Sequence, residues 1–207
     1  MDLFSRGAEL VRATYEAGGM AFFRGIDNSF PGYREAIGGP VDHLDPDIMD
    51  SVGSVVPIGK PLPTTNFRHI ATISSNDRSV MATVCTYEAY ANEEDNGLTT
   101  RFGRTRIELE NVGTSAGAPG IPDADPDREN PAAHDPPDWN VFGSWKIRVF
   151  NTDTPEPVEC NRWWHSLFPA LPFDSETDRL DLPHGFHVPT QPVAIQYPEW
   201  IGPARTE

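Results

Sequence analysis

Few side chains in this sequence are spaced in a way that could carry out chemistry. Two histidines, His184 and His187, lie three residues apart in a proline-rich stretch. A zinc site built on such a pair needs one or two further ligands, and the nearest carboxylates, Asp178 and Asp181, lie upstream in predicted coil. We therefore interpret the two histidines as surface residues packed near aromatic side chains, and we predict no metal site.

Motifs of known chemistry are missing from the sequence. Two acidic segments, 45–50 and 123–127, are similar to calcium-binding loops in composition alone. Each lacks the glycine and the terminal glutamate that such a loop needs at fixed spacing. The sequence also contains no Gly-x-Ser-x-Gly nucleophile motif, no P-loop and no dinucleotide fingerprint. No catalytic residue and no cofactor is predicted from these patterns.

The two cysteines, Cys85 and Cys160, allow two interpretations. Cys85 lies in the middle of a predicted strand, and Cys160 lies in a proline-rich tail beside Trp163 and Trp164. A disulfide between them would tie the tail to the sheet and stabilise the fold by about 4 kcal/mol through loop closure. Alternatively, one cysteine is a buried thiol and the other an unrelated surface thiol. There is no Cys-x-x-Cys pair, so structural zinc is not expected.

The charge of the chain argues against nucleic acid as a partner. Its 207 residues carry a formal net charge of −15, and the electrostatic field of such a protein repels a polyanion. The basic cluster Arg101, Arg104 and Arg106 falls on a predicted strand. We interpret this cluster as a solvated strand face with cross-strand ion pairs.

The sequence pattern predicts neither a membrane span nor an export signal. No stretch of about 20 apolar residues is present, so we expect no transmembrane segment. The first residues lack the basic region and the apolar core of a signal peptide. The compartment stays open: cytoplasm or virion as encoded, or outside the cytoplasm if a leader was removed.

The apolar pattern predicts helices followed by strands. Apolar spacings predict a helix over 2–24, weakened by Gly18 and Gly19, and a shorter helix over 31–39. Four segments have the pattern of strands: 67–74, 79–91, 98–112 and 139–150. This order indicates an α+β fold with N-terminal helices packed on a mostly antiparallel, curved sheet of four or more strands.

Composition divides the chain into an α+β domain over 1–150 and a long proline-rich C-terminal extension over 151–207. Inside the domain, the acidic, proline-rich insert 113–138 is predicted to be a solvated excursion between two strands. The extension is expected to become ordered by docking on the domain or on a partner, because prolines cannot join a strand ladder.

One apolar layer is predicted to lie under the helix 2–24. Its expected members are Met81, Cys85, Ile107, Leu109, Trp145 and Ile147. Apolar residues also alternate with Met81 and Cys85, so the strand 79–91 is expected to be covered on both faces. His69 alternates with Phe67 and Ile73 on another strand, where a core histidine bonded to a backbone carbonyl is expected.

Three of these segments together resemble the nuclear-transport-factor-2-like fold. They are the helix 2–24, the strand 81–87 (Met-Ala-Thr-Val-Cys-Thr-Tyr) and the strand 142–147 (Phe-Gly-Ser-Trp-Lys-Ile). The chain looks in particular like small actinobacterial accessory domains of that class, which exported or membrane-anchored proteins often carry. The resemblance covers the domain and leaves the tail out.

The resemblance implies a cone-shaped pocket beneath the sheet that holds an acid or base with tyrosine partners. In this chain only His69, Tyr87 and Tyr15 match such chemistry, with Trp145 lining the pocket. A small-molecule-binding or isomerase-type enzyme is therefore the alternative function. The favoured function is a non-catalytic protein-interaction or assembly domain, for example an accessory protein of a virion or cell envelope. Its expected partner is a protein or a second copy of the chain.

Aromatic residues in the tail support that favoured function. They must be buried somewhere, because each carries a large apolar surface. The candidates for partner binding are Trp163, Trp164, Ile195, Tyr197 and Trp200. Two interpretations stay open: the tail is a strap on its own sheet, which we favour near Cys160, or it is an arm that docks in a groove of another subunit, which we favour for the last twenty residues.

Overall fold

The chain folds as helices packed on an antiparallel sheet, so the predicted α+β class is confirmed. The computed structural model describes residues 1–39, 45–46, 48, 64–92, 97–151, 158–170, 172–174, 176, 179–180 and 196–202. The elements are α1 (Arg6–Arg24), α2 (Tyr33–Ala36), β1 (Thr64–Ser75), β2 (Ser79–Asn92), β3 (Gly97–Asn111), β4 (Ala133–His134), β5 (Trp145–Asn151), α3 (Val158–Leu167), β6 (Phe173–Asp174), β7 (Arg179–Leu180) and β8 (Trp200–Ile201).

The main sheet is a meander with the strand order β1-β2-β3-β5, and each neighbouring pair is antiparallel. A tight turn joins β1 to β2, where Asn76 Oδ1 accepts hydrogen bonds from the backbone N–H groups of Arg78 and Ser79. β3 pairs with β2 from Gly97 to Glu110, but its pairing with β5 begins at Arg106. In the described residues, β1 and β5 form the two edges of the sheet.

The strand predicted over 139–150 begins only at Trp145. Val141 and Phe142 are consecutive and both fully buried, so the expected alternation is broken there. Gly143 adopts a φ of 57°, a left-handed conformation that glycine tolerates. A Cβ atom at this position would lie 2.3 Å from the backbone nitrogen of Gly117. The preceding segment is therefore a turn that packs against the insert.

Helix α1 runs without a break through Gly18 and Gly19. Gly18 is required by packing, because a Cβ atom there would lie 2.2 Å from Cε1 of Phe150 on β5. Gly19 faces open space. The two glycines therefore play different roles in a continuous helix.

The second predicted helix, 31–39, is shortened to the four residues of α2.

The apolar layer under α1 contains part of the predicted set. Its buried members from the main sheet are Ile70, Val80, Ala82, Val84, Ile107, Leu109, Trp145, Ile147 and Phe150. The prediction is wrong for Met81, which is 50% exposed, and for Cys85, which is buried on the opposite face. Val80 pairs with Leu109 in the β2–β3 register. Since strand side chains alternate between faces, Met81 and Cys85 must point away from α1.

A β-bulge divides β1 between Ile70 and Thr72. The extra residue changes the alternation, because a bulge shifts all later side chains to the other face. Phe67 therefore packs on the face away from α1, whereas Ile73 packs under α1. The predicted common face for these two residues is wrong for this reason.

A third layer covers the outer side of α1. It is built from the insert and the C-terminal segment 196–202, which meet where β4 pairs with β8. Ile121 N donates a hydrogen bond to Ile201 O at 2.8 Å. From α1, the buried carboxylate of Glu9 accepts a hydrogen bond from Gly120 N. The order of layers is thus insert, α1, sheet, and then α3 on the far face.

Candidate functional site

Helix α3 is held on the far face of the sheet by a covalent bond and a buried indole. The structure contains the disulfide Cys85–Cys160, with the two Cα atoms 5.4 Å apart. Trp164, one turn further along, is fully buried and donates from Nε1 to the backbone oxygen of Thr86 at 3.0 Å. Arg104 places its guanidinium 5.6 Å from the centre of the Trp164 ring. The start of the tail is therefore a strap on its own sheet.

The helical state of α3 was not predicted, since residues 151–207 were interpreted as proline-rich coil. The segment 158–167 lies between Pro157 and Pro169 and contains no proline itself. Proline excludes helix only where it occurs, so the segment is free to form ten residues of helix. This helix contains Cys160 and Trp164, which are buried against the sheet, and Trp163, which is half-buried.

Four ring side chains lie together where α3 meets β1, and we call them the aromatic patch: Phe67, His69, Trp163 and Phe168. His69 stacks on Trp163 with ring centres 5.3 Å apart and an interplanar angle of 18°. Fully buried Tyr87 supports the patch from below, at 5.9 Å from Phe67 and 5.0 Å from Phe168. His69 is exposed and the other three members are half-buried. The patch is thus a surface cluster that packs on a fully buried side chain.

The aromatic patch is electrically neutral at pH 7. Partial desolvation beneath its neighbours lowers the pKa of the exposed His69, and the positive N-terminus adds to this effect. Burial also raises the pKa of Tyr87 to about 12. Because both groups are then uncharged near neutrality, the patch can be covered by another apolar surface without the cost of desolvating an ion.

The structure does not bring the pocket candidates together. His69 and Tyr87 lie on the α3 side of the sheet, whereas Trp145 is buried under α1. The space next to Tyr87 is filled by Trp164. Tyr15 also lies on the α1 side, where burial raises its pKa. His69 is at the surface and not in the core. In the part of the chain that the structure describes, these four residues therefore do not line one common pocket.

The C-terminal tryptophan is an internal anchor. Trp200 is 3% exposed and donates from Nε1 to Glu16 Oε2 at 2.6 Å. The guanidinium of Arg12 lies 4.5 Å from the centre of its ring and also donates to the backbone oxygen of Pro198. A cavity of about 10 Å³ at this junction has room for roughly one water molecule. The segment 196–202 is therefore fastened to α1.

The tail candidates for partner binding separate into two groups. Trp164 and Trp200 are buried within the chain, whereas Trp163 is half-buried and Tyr197 is 43% exposed. Ile195 lies outside the described residues, as do His184 and His187. A surface role stays open for Trp163 and for Tyr197. The stacking of Trp163 on His69 could not be read from the sequence, because the two residues are distant along the chain.

The acidic segment 123–127 has a structural role. Asp123 is 3% exposed, and its Oδ2 accepts a hydrogen bond from Glu199 N at 3.0 Å.

Across the described ranges, no three His, Cys, Asp or Glu side chains are grouped to hold a metal ion. None of the helices in the described part of the chain has the length and apolar character to cross a membrane.

Searches of family models, curated proteins and solved structures found no match to this chain. The resemblance to the nuclear-transport-factor-2-like fold therefore stays a prediction. The α+β class, in contrast, follows from the observed elements and their order. The candidate site is the aromatic patch, at the edge of the sheet face that α3 covers.

Proposed function

We propose that this chain is a non-catalytic protein-interaction or assembly domain, and that a protein partner docks on the aromatic patch. One observation carries the proposal: Trp164 fills the α3 side of the sheet, while Trp163, its neighbour on the same helix, stays at the surface stacked on His69. Trp164 thus stabilises the fold, whereas Trp163 is available at the surface for a partner.

The geometry of the patch suits binding. Tryptophan and other aromatic residues provide much of the binding energy of protein interfaces. Stacking on His69 and attachment through the Cys85–Cys160 bond hold Trp163 in place before a partner arrives. A side chain that is already ordered loses less conformational entropy on binding, so more of the contact energy is available for affinity.

The disulfide supports an oxidising compartment as the place of action. Disulfides persist in secreted, envelope and surface proteins and are rare in the reducing cytosol. The proposal thus includes an envelope or virion accessory role. The relationship to nuclear-transport-factor-2-like domains belongs to the same proposal and is supported by an N-terminal helix that precedes and covers an antiparallel sheet.

The proposal is tested by photo-crosslinking in the native host. A photoreactive phenylalanine analogue is placed at position 163, and the matched control carries it at position 112, since Val112 is 52% exposed and lies outside the patch. We expect a protein adduct at position 163 that is lost when Phe67→Ser is added. The absence of an adduct at position 163, or equal adducts at both positions, contradicts the proposal.

A further inference from the structure

We propose that the outer edge of β1 pairs with β1 of a second copy, so that two four-stranded sheets join into one sheet of eight strands. This inference rests on the proposed function and names its partner. A two-fold axis relates the copies, and the segment 64–70 of each chain lies antiparallel to the same segment of the other.

The edge of β1 is open in the described part of the chain. β1 has twelve residues and pairs on one side with β2. On its other side the described residues form no strand, so its outward N–H and C=O groups can accept another strand. The opposite edge is shorter, because β5 has seven residues, and it lies beside α2, where Lys146 donates to the backbone oxygen of Glu35.

The charge distribution favours a second copy at this edge. The chain carries 31 acidic residues and a net charge of −15, which opposes self-association over most of its surface. The strand β1 contains no Asp or Glu. Its arginine, Arg68, lies 3.6 Å from a carboxylate oxygen of Glu16, and partial desolvation lowers the pKa of His69. Two copies can therefore approach along β1 without strong repulsion.

The bulge and the patch define the register. The bulge between Ile70 and Thr72 ends the regular part of the edge, which leaves the segment 64–70 with Phe67 at its centre. A two-fold axis at Phe67 places the two Phe67 side chains opposite each other, at the roughly 5 Å Cβ separation of antiparallel pairs. Both aromatic patches then lie on one face of the joined sheet and add apolar area to the main-chain hydrogen bonds.

The same register predicts which charges meet. With the axis at Phe67, Asn66 of one copy lies opposite Arg68 of the other, and symmetry repeats this pair once more. Asn66 is exposed, so a charge introduced there leaves the core of the monomer intact. Asn66→Asp would then face Arg68 with an opposite charge, and Asn66→Arg would face it with a like charge.

Sedimentation velocity and native mass spectrometry of the purified chain test the pairing. We expect a reversible dimer that Asn66→Asp tightens and Asn66→Arg weakens, each by roughly 2- to 30-fold in Kd, because two cross-strand charge pairs change. Ser74→Arg is the matched control, since Ser74 is exposed on β1 beyond the bulge and its change should leave the Kd as it was.

Two results overturn the inference. One is a monomer at every protein concentration, and the other is a dimer that responds equally to Asn66→Arg and Ser74→Arg. Neither result removes the proposed function if position 163 still crosslinks to a different protein. Conversely, a dimer with the predicted charge dependence but no adduct at position 163 keeps the pairing and rejects the aromatic patch as the docking surface.

Discussion

Alanine at two adjacent glycines of α1 gives a sharp test of the packing. Gly19→Ala adds a methyl group in open space on an exposed part of the helix. Alanine is about 0.5–1 kcal/mol better than glycine inside a helix, so this variant should gain that free energy of unfolding. Gly18→Ala receives the same gain, but its Cβ would lie 2.2 Å from Cε1 and 2.8 Å from Cζ of Phe150.

The cost at Gly18 follows from that distance. Carbon atoms pack best at about 3.5–4.0 Å, so the Phe150 ring must move by more than 1 Å in a core where it is 4% exposed. Overpacking of this kind costs about 1–3 kcal/mol. Because the helix-propensity gain is common to both variants, the difference between them isolates the clash and should amount to about 1–3 kcal/mol.

Urea unfolding of the two variants and of the parent chain measures this difference. The expected order of the free energy of unfolding is Gly19→Ala, then parent, then Gly18→Ala. Adding Phe150→Leu should remove most of the difference between the two alanine variants, because the smaller side chain leaves space for the new methyl group. Equal stabilisation by the two alanines would refute the described packing of α1 on β5.

Three further changes test other parts of the fold. Tyr33→Phe should leave the free energy of unfolding in urea melts unchanged or raise it by about 1 kcal/mol, because the hydroxyl is buried without a hydrogen-bond partner among the described residues. A decrease of more than about 1 kcal/mol in the free energy of unfolding would show that the Tyr33 hydroxyl has a hydrogen-bond partner. Replacing Cys85 and Cys160 by alanine should cost about 4 kcal/mol, since the bond closes a loop with a sequence separation of 75; unchanged melts would contradict this. Burial raises the pKa of Tyr87 from 10.0 to about 12, so the unfolded chain loses this proton first and stability should fall as pH rises from about 10 to about 12, by up to about 1.4 kcal/mol per pH unit. Tyr87→Phe should make that alkaline decline shallower in melts on either side of pH 10, and an unchanged slope would assign the decline to other groups.

The strands were predictable because the alternation of their side chains is local. Which face of the sheet each side chain occupies was not predictable. β2 has apolar side chains on both faces, so its pattern fits two opposite orientations. The choice depends on the pairing of Val80 with Leu109 and on the bulge in β1, which are set by contacts between strands. The predicted layer therefore had the correct members from β3 and β5, and the wrong ones, Met81 and Cys85, from β2.

The candidate site was predictable in its parts and not in its assembly. The tryptophans beside Cys160 indicated a tail that docks either on its own sheet or on another subunit, and both open interpretations of the cysteines were visible in the sequence. The stacking of His69 on Trp163 depends on a helix flanked by prolines and on a long-range disulfide. No local pattern encodes the distance between β1 and α3, so the patch is seen only once the chain is folded.

The Cys85–Cys160 bond also has a mechanical consequence. If the molecule is pulled at its two ends, tension passes through the bond and bypasses the loop between the two cysteines. That loop, with its sequence separation of 75, holds roughly 250 Å of extended chain, at about 3.4 Å per residue. The loop includes β3, the insert and β5, so these elements cannot be drawn out while the bond is intact. A domain that links neighbouring proteins under load would thus reach a maximum extension shorter by about this length than that of the reduced chain.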